Sequence, residues 1–159
     1  MRRNDRAVTD INEIKGILES CRTCHLAMID GDRPYVVPLS YGYELAGQTL
    51  TLYFHSAKEG RKIDILHKNN QVCFEMCIEG EPIFASEAPC DSGYYYSSVI
   101  GNGEAVFVAD TEEKCNALSA LMKRQAEIDV TFTQKQAEDV CVFKVVSNDY
   151  IGKRKPKRV

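Results

Sequence analysis

The stretch Tyr53-Phe54-His55-Ser56-Ala57-Lys58-Glu59-Gly60-Arg61-Lys62 joins a strand pattern to the start of a helix. Leu50, Leu52 and Phe54 alternate with other residues up to this point, which is typical of a half-buried strand. A hydroxyl, a glycine and two adjacent cations then open a helix predicted over residues 58–68. A helix N-terminus offers unpaired N–H groups, and charge-assisted hydrogen bonds from the cations contribute roughly 1.5–3 kcal/mol each. The stretch therefore predicts a seat for a phosphate group; the alternative is a solvated helix start with ordinary surface cations.

The composition of the chain predicts an ordinary globular protein. Its 159 residues are 44% hydrophobic and 27% charged, so we expect a single domain over residues 1–159 with a substantial core. The net charge of -3 argues against a nucleic-acid-binding protein. Residues 152–159 form a basic tail that we expect to be solvated and mobile, although Lys153 could instead reach a ligand phosphate.

The chain contains no sequence pattern for export or for a membrane span. No apolar segment follows the charged residues at 1–6, and no run approaches the roughly 18 apolar residues of a spanning helix. We therefore expect a cytoplasmic protein with no membrane partner.

The seven cysteines are an odd number in a chain large enough to fold without disulfides, which favours reduced thiols. Cys21-Arg22-Thr23-Cys24-His25 matches the attachment signature of c-type haem, but it leads directly into a strand pattern. Zinc would need a second pair, and Cys73 and Cys77 would lie about 13 Å apart along a strand, too far for one tetrahedral ion. We interpret the thiols at 21 and 24 as incidental, with haem, zinc and redox chemistry as weaker alternatives.

The periodicity and turn residues predict a mainly β protein with flanking helices. Helices are expected at residues 9–20, 58–68 and 112–126. The first has Asp10 and Glu13 spaced as a capping box, and the third has the capping residues Asp110 and Glu113. One apolar stripe of the first helix consists of Ile11, Ile14, Ile17 and Leu18. Strands are expected at residues 25–30, 34–45, 49–55, 71–78, 94–100, 103–108 and 140–146, with a long loop or irregular strand at 79–93 and a break or bulge at 101–103. Because turns link most of these strands, the sheet should be antiparallel and curl into a barrel.

Three ordered motifs resemble a known family. They are residues 34–41 (PYVVPLSY), the stretch 53–62, and residues 96–103 (YSSVIGNG) followed by Glu112-Glu113-Lys114. Together they are similar to the flavin-binding split-barrel superfamily of pyridoxamine 5'-phosphate oxidases, and most similar within it to the 5-nitroimidazole antibiotic resistance proteins. The resemblance covers residues 10–153, and Gly60 stands where the oxidases have a serine in their phosphate motif.

The resemblance implies an antiparallel split β-barrel of Greek-key type, homodimeric, with two FMN molecules at the subunit interface; FAD or haem is the less favoured cofactor. Four residues would lie along the flavin ring: Val37, Pro38, Leu39 and Ser40. Three would hold the phosphate: Ser56, Arg61 and Lys62. The small residues Ala57 and Gly60 would let the backbone approach the phosphate. Four more would reach the partner's flavin or line the pocket, or form a plain interface strand: Tyr96, Ser97, Ser98 and Val99.

The implied activity is an FMN-dependent reduction of small electrophiles such as nitroaromatic (nitroimidazole) compounds, with NAD(P)H as a possible electron donor. His55 is the candidate catalytic residue, because an imidazole can deliver a proton near neutral pH or bind a carboxylate or nitro group; the alternative is a histidine bonded to the backbone. Other hypotheses are a non-catalytic flavin- or haem-binding storage or sensor module and, more weakly, a nucleic-acid-associated protein acting through the basic tail. The chain lacks the oxidases' C-terminal Arg-x-His element, so oxidation of pyridoxine phosphate is not expected.

Overall fold

The computed structural model describes residues 3–155, which form an antiparallel sheet flanked by helices. The strands are β1 (Ala7–Val8), β2 (Thr23–Asp30), β3 (Arg33–Ser40), β4 (Gly42–Ala46), β5 (Thr49–Ser56), β6 (Gln71–Ile83), β7 (Gly93–Phe107) and β8 (Cys141–Lys155). The helices are α1 (Ile11–Ser20), α2 (Arg61–Lys68), α3 (Thr111–Ala126) and α4 (Gln134–Glu138), with 3-10 turns at Asn4–Arg6 and Pro89–Asp91. The predicted class, mainly antiparallel β with flanking helices, is confirmed.

The strands run in the order β3-β2-β6-β7-β8-β5-β4, and β1 pairs with the end of β8. The two ends of this order, β3 and β4, are joined in sequence through Tyr41 but are not hydrogen-bonded to each other. β3 nevertheless contacts β5, so the sheet curls round without closing. Tight turns connect β2 to β3 and β4 to β5, as the turn residues predicted.

The core lies inside the curled sheet, where α1 and α2 pack against the strands. Asp10 begins α1 by accepting hydrogen bonds from the backbone N–H groups of Asn12 and Glu13. The buried residues Ile14, Ile17 and Leu18 form the predicted apolar stripe of α1. A second cluster lies on the other side of the sheet, where Leu118 and Leu121 of α3 pack against residues that include Tyr53 and Val142.

The predicted strand at 34–45 is two strands, because the chain passes from one edge of the sheet to the other at Tyr41. This residue is fully buried, and its hydroxyl donates to Leu18 O at 2.7 Å near the end of α1. Packing of a tyrosine against a helix end is a tertiary contact that strand periodicity does not reveal.

Three other boundaries differ from the sequence prediction. β6 continues to Ile83 with a register shift between Glu79 and Pro82, so the irregular segment is shorter than the predicted loop at 79–93. The two strands predicted at 94–100 and 103–108 are one strand, β7, with a register shift between Asn102 and Glu104. Helix α2 begins at Arg61, whereas residues 58–60 were predicted to belong to it. Long strands tolerate a bulge without ending, which periodicity alone does not distinguish from a turn.

The basic tail predicted at 152–159 is wrong for its first half. β8 extends to Lys155 because its last residues pair with β1 and β7, and Gly152 is buried against Val8. The rest of the predicted tail, 156–159, lies outside the described residues. Among residues 3–155, no helix combines the length and apolarity needed to cross a membrane.

Candidate functional site

Ser56 ends β5 with its side chain turned into the sheet interior. The alternation that buries Leu50, Leu52 and Phe54 places Ser56 on the same face, and it is 7% exposed. Its hydroxyl has no hydrogen-bond partner among the residues that the structure describes. An unsatisfied buried hydroxyl costs about 1–3 kcal/mol, so a bound ligand or water that supplies the partner is favoured here.

The backbone next to Ser56 is open to a ligand. Gly60 precedes α2 with a φ of 133°, a conformation that favours glycine, and no heavy atom lies within 4 Å of where its Cβ would be. Within the described part of the chain, no side chain caps the N-terminus of α2. The first N–H groups of α2 are therefore available to an anion, and the helix dipole favours a negative charge at this end.

Arg61 is held in place by the hairpin between β2 and β3. Its Nε and Nη2 atoms both lie 2.9 Å from Oδ2 of Asp30. Its guanidinium also lies over the ring of Tyr35, 4.4 Å from the centroid. The side chain remains 60% exposed, so its other N–H groups can still bind an anion.

Two lysines lie near the cross-strand neighbour of Ser56, which is Cys141. Burial raises the pKa of the Cys141 thiol, and the ammonium groups of Lys114 and Lys62 act in the opposite direction. Lys114 lies on α3 and Lys62 in the first turn of α2, so the two helices bring cations to one end of β5 and β8. Together with Arg61, whose charge Asp30 partly offsets, they bring three cationic side chains to this end of the sheet.

The predicted ring-contacting residues occupy the edge strand β3. Val37 and Leu39 point towards the core and are half-buried, whereas Pro38 and Ser40 point outward and are exposed. Because β3 hydrogen-bonds to β2 on one side only, the backbone groups of its other edge remain free within the described sheet.

The predicted segment 96–99 lies on β7, far along the sheet from Ser56. Ser97 pairs with Arg154, and Ser56 pairs with Cys141, so 13 residues of β8 separate them. At about 3.3 Å per residue this is roughly 43 Å of strand. Ser98 and Tyr96 point to the outer face, whereas the side chain of Val99 is fully buried in the core. The structure therefore does not bring segment 96–99 and Ser56 of one chain together.

His55 is exposed and points to the face opposite Ser56, as neighbouring strand residues do. It pairs across strands with Val142, which belongs to the cluster beneath α3. Among the described residues its side chain has no hydrogen bond, which leaves the imidazole free for an external group.

Among residues 3–155, no α-helix packs on the outer face of β2, β3, β6, β7 and the end of β8. Cross-strand pairing aligns one row over five strands: Pro38, His25, Glu75, Ile100 and Ile151. Three large apolar residues of this face are strongly exposed: Ile29 (47%), Val36 (54%) and Ile100 (47%). We refer to this surface as the outer sheet face.

The thiols of the C-x-x-C-H motif are buried. Burial raises the pKa of Cys21 to about 11 and that of Cys24 to about 12. All seven cysteines are free, and residues 3–155 contain no group of three or more His, Cys, Asp or Glu side chains arranged to hold a metal ion. These environments favour inert thiols over nucleophiles.

Sequence patterns did not assign three residues to the predicted phosphate seat, although two of them lie in the quoted motifs: Asp30, Tyr35 and Lys114. Each approaches through tertiary structure, Asp30 and Tyr35 from the hairpin of β2 and β3 and Lys114 from α3. The two-residue turn after Asp30 was a visible signal of the hairpin, but nothing in the sequence linked it to Arg61.

Comparisons with known proteins agree with this fold. The family model for pyridoxamine 5'-phosphate oxidase matches residues 10–154. A candidate 5-nitroimidazole antibiotic resistance protein from Bacteroides thetaiotaomicron is 30% identical with a TM-score of 0.80, over 93% of this chain and 86% of that chain. None of the curated proteins matches this chain.

Two more distant structures share the fold. The flavocytochrome Anf3 from Azotobacter vinelandii is 19% identical with a TM-score of 0.80, over 98% of this chain and 72% of that chain. An FAD and heme binding protein from Mycobacterium smegmatis is 16% identical with a TM-score of 0.77, over 97% of this chain and 77% of that chain.

Proposed function

The chain belongs to the pyridoxamine 5'-phosphate oxidase family, and from this membership we propose that it is a flavin-binding protein that holds FMN. The observation that carries the proposal is the unpartnered buried hydroxyl of Ser56 beside the open turn at Gly60. A phosphate oxygen supplies the acceptor that this hydroxyl lacks. Arg61 and Lys62 would hold the same phosphate, and Ala57 and Gly60 would leave room for it.

Several features favour a terminal phosphate and hence FMN. Arg61, Lys62 and Lys114 are brought to one end of the sheet, where a phosphate monoester would concentrate its charge. The names of two structural neighbours, a flavocytochrome and an FAD and heme binding protein, support a flavin in general. Because their sequence identity to this chain is low, these neighbours support only the shared fold. The argument for FMN therefore rests on the residues at the predicted phosphate site.

We further propose that two copies of the chain share the flavin sites. The separation of Ser56 from segment 96–99 along β8 supports contact between the flavin of one copy and Tyr96, Ser97 and Ser98 of the other. Val99 would contribute its backbone only, since its side chain is buried. The outer sheet face supplies an unpartnered apolar surface on which a second copy could dock.

The activity we propose is the reduction of small electrophiles such as nitroaromatic compounds, with NAD(P)H as the electron donor. Bound FMN supplies hydride transfer, the chemistry that no side chain provides. Val37, Pro38, Leu39 and Ser40 would orient the ring and exclude water from one side of it. His55, which is exposed and has no hydrogen bond to any other residue in the range 3–155, would deliver a proton to the product.

The test begins with flavin titration of the purified protein. FMN should bind with quenched flavin fluorescence, and riboflavin, which lacks the phosphate, should bind far more weakly. The double variant Arg61→Ala, Lys62→Ala should lose the preference for FMN. Equal affinity for FMN and riboflavin in the parent protein would refute the phosphate seat.

Turnover separates a reductase from a flavin carrier. The FMN-loaded protein should bleach with NAD(P)H and regain its colour when a nitroimidazole is added. Retention of full turnover in His55→Ala, with FMN still bound, would remove His55 from the chemistry. A bound flavin that no nicotinamide reduces would favour the storage or sensor role instead.

A further inference from the structure

A second candidate site lies on the outer sheet face, away from Ser56. It is a cavity of about 680 Å³ between β6, β7, the end of β8 and the 3-10 turns at Asn4–Arg6 and Pro89–Asp91. Tyr94, Tyr96 and Ser98 form part of its wall. A cavity of this size is in the range that small-molecule ligands occupy.

Three cations surround Tyr96. Cross-strand pairing sets Lys155 opposite Tyr96 and Lys153 opposite Ser98, so both lysines share the outer face with the phenol. The Nζ of Lys153 lies 5.8 Å from the centroid of the Tyr96 ring. Arg6 and Lys155 line the cavity. Arg6 also forms a hydrogen bond with the phenol of Tyr96, which lowers the pKa of that group.

These cations lack the carboxylate partners that half-buried charges usually have. Arg6, Lys153 and Lys155 are each half-buried, and none forms an ion pair with another residue in the range 3–155. The neighbouring Arg3 and Arg154, in contrast, bind Asp5 and Glu13, each at 2.6 Å. A cluster of partly buried, unpaired cations favours an anion from outside the described chain.

Three carboxylates also line the cavity, but among residues 3–155 none of them forms an ion pair with Arg6, Lys153 or Lys155. Glu75 is already bound to His25 at 2.9 Å, and Glu79 and Asp91 are exposed. Burial acts to raise the pKa of the Tyr96 phenol, but Arg6 and Lys153 outweigh it and bring that pKa below its usual value. The phenol oxygen of Tyr96 therefore faces two cations, Arg6 and Lys153.

We propose that this cavity binds a small aromatic carboxylate, with its anionic group among Arg6, Lys153 and Lys155 and its ring against Tyr94 and Tyr96. The Tyr96 hydroxyl donates a hydrogen bond to the same anionic group. An arginine fork matches a carboxylate, and the tyrosine rings provide flat apolar walls for a ring. The site does not require the flavin.

The cavity also assigns a substrate class, and this step rests on the proposed function. That function brings Tyr96 of one copy to the flavin of the other. An anion bound beside Tyr96 would then lie next to the flavin ring, where the substrate binds. Among the substrates of the proposed reductase, the cavity accordingly favours small aromatic compounds that carry a negative group over neutral ones.

Benzoate titrated into the full chain without flavin tests the site by calorimetry. We expect saturable binding that weakens with salt, and about 10-fold or greater losses in Lys153→Ala and Lys155→Ala. Lys135→Ala, on the exposed part of α4, is the matched control and should bind benzoate like the parent. Absent binding, or equal affinity in all three variants, would overturn the site.

Tyr96 provides a spectroscopic readout that a merely structural role would not move. The parent should show a phenolate absorbance that forms below the usual tyrosine pKa of about 10, is missing in Tyr96→Phe, and shifts to higher pH with benzoate. Inorganic phosphate that binds as tightly as benzoate would overturn the aromatic assignment. FMN titration of the same samples keeps the two proposals separate. A protein that binds benzoate but not FMN would contradict only the flavin site, and one that binds FMN but not benzoate would contradict only this cavity.

Discussion

Arg61 donates a 2.9 Å hydrogen bond from Nε to Oδ2 of Asp30, and its Nη2 forms an ion pair with the same oxygen, also at 2.9 Å. The two residues are 31 positions apart, and their pairing ties the start of α2 to the hairpin of β2 and β3. The Tyr35 ring beneath the guanidinium fixes its plane. Arg61 is therefore oriented before any phosphate arrives, which lowers the entropic cost of binding one.

Replacing Arg61 should affect FMN and leave riboflavin unchanged. Arg61→Ala removes charge-assisted hydrogen bonds to the phosphate, and we expect FMN affinity to fall about 10- to 100-fold by fluorescence titration. Arg33→Ala changes an arginine that is 84% exposed on the neighbouring turn and should have no effect. Arg61 is 60% exposed in its pair with Asp30, so Asp30→Ala should lower the free energy of unfolding by about 1 kcal/mol or less. An equal loss of FMN and riboflavin would mean that Arg61 acts on the fold.

Ser56→Ala should reduce ligand binding without reducing stability. The variant removes a buried hydroxyl that has no partner, so the flavin-free protein should be unchanged or more stable by about 1–3 kcal/mol in urea unfolding. FMN affinity should fall about 10-fold. The matched control is Ser147→Ala, because Ser147 is also buried but donates to Asn102 O at 2.6 Å and accepts from Asp149 N at 3.1 Å. That variant should lose about 1–2 kcal/mol; a similar loss in Ser56→Ala would show that Ser56 has a structural partner.

Gly60 and Gly16 form a matched pair for backbone strain. No heavy atom lies within 4 Å of the Cβ position at either glycine, so steric clashes play no part. Gly60→Ala forces an L-residue to a φ of 133° and should cost about 1–3 kcal/mol. Gly16 lies inside α1, so Gly16→Ala should stabilise the protein by about 0.5–1 kcal/mol. Urea midpoints measure both, and equal shifts would contradict the strained turn.

Alkaline pH should destabilise the protein through Cys21 and Cys24. Burial raises their pKa values in the folded state to about 11 and about 12, from an ordinary value of 9.0. The unfolded chain then loses protons first as pH rises, so this stabilisation is complete below pH 9.0 and is lost towards pH 11–12. Burial also raises the pKa values of Tyr41 and Tyr53, which extends the decline to higher pH.

Urea unfolding at pH 8 and pH 10 checks this direction, and the variant Cys21→Ala, Cys24→Ala should show a shallower decline. Alkylation at pH 8 should modify the exposed Cys77 and Cys90 and spare the buried pair. Rapid labelling of Cys24 in the folded protein would indicate that the strand opens.

The sequence could predict features that depend on local pattern, such as strands and helix starts. The structure added contacts between residues that are far apart in the sequence. Alternation at Leu50, Leu52 and Phe54 located a half-buried strand, and Asp10 and Asp110 located the starts of two helices. The capping box predicted at α1 formed only in part: Glu13 lies where its backbone is capped, but its carboxylate binds Arg154. A contact across 141 positions leaves no local signal.

The phosphate seat shows the same division. Ser56, Gly60 and Arg61 are close in sequence, so their combination was visible before the fold was known. Asp30, Tyr35 and Lys114 were not, because each reaches the seat from another element. The sequence also did not predict the length of β8. Its basic end has the pattern of a solvated tail, and only the pairing with β1 and β7 makes it part of the strand.

The last prediction concerns the outer sheet face as the surface between two copies. Ile100 is 47% exposed on this face, and Ile128, 46% exposed, lies just beyond α3 away from it. Ile100→Glu would bury a charge in a dimer, so we expect this variant to sediment as a monomer and to lose FMN contacts that need a second copy. Ile128→Glu introduces the same charge at equal exposure and should leave the dimer and its flavin intact. If both variants remain dimeric, the two copies associate through another surface, and segment 96–99 would need a role other than contacting the partner's flavin.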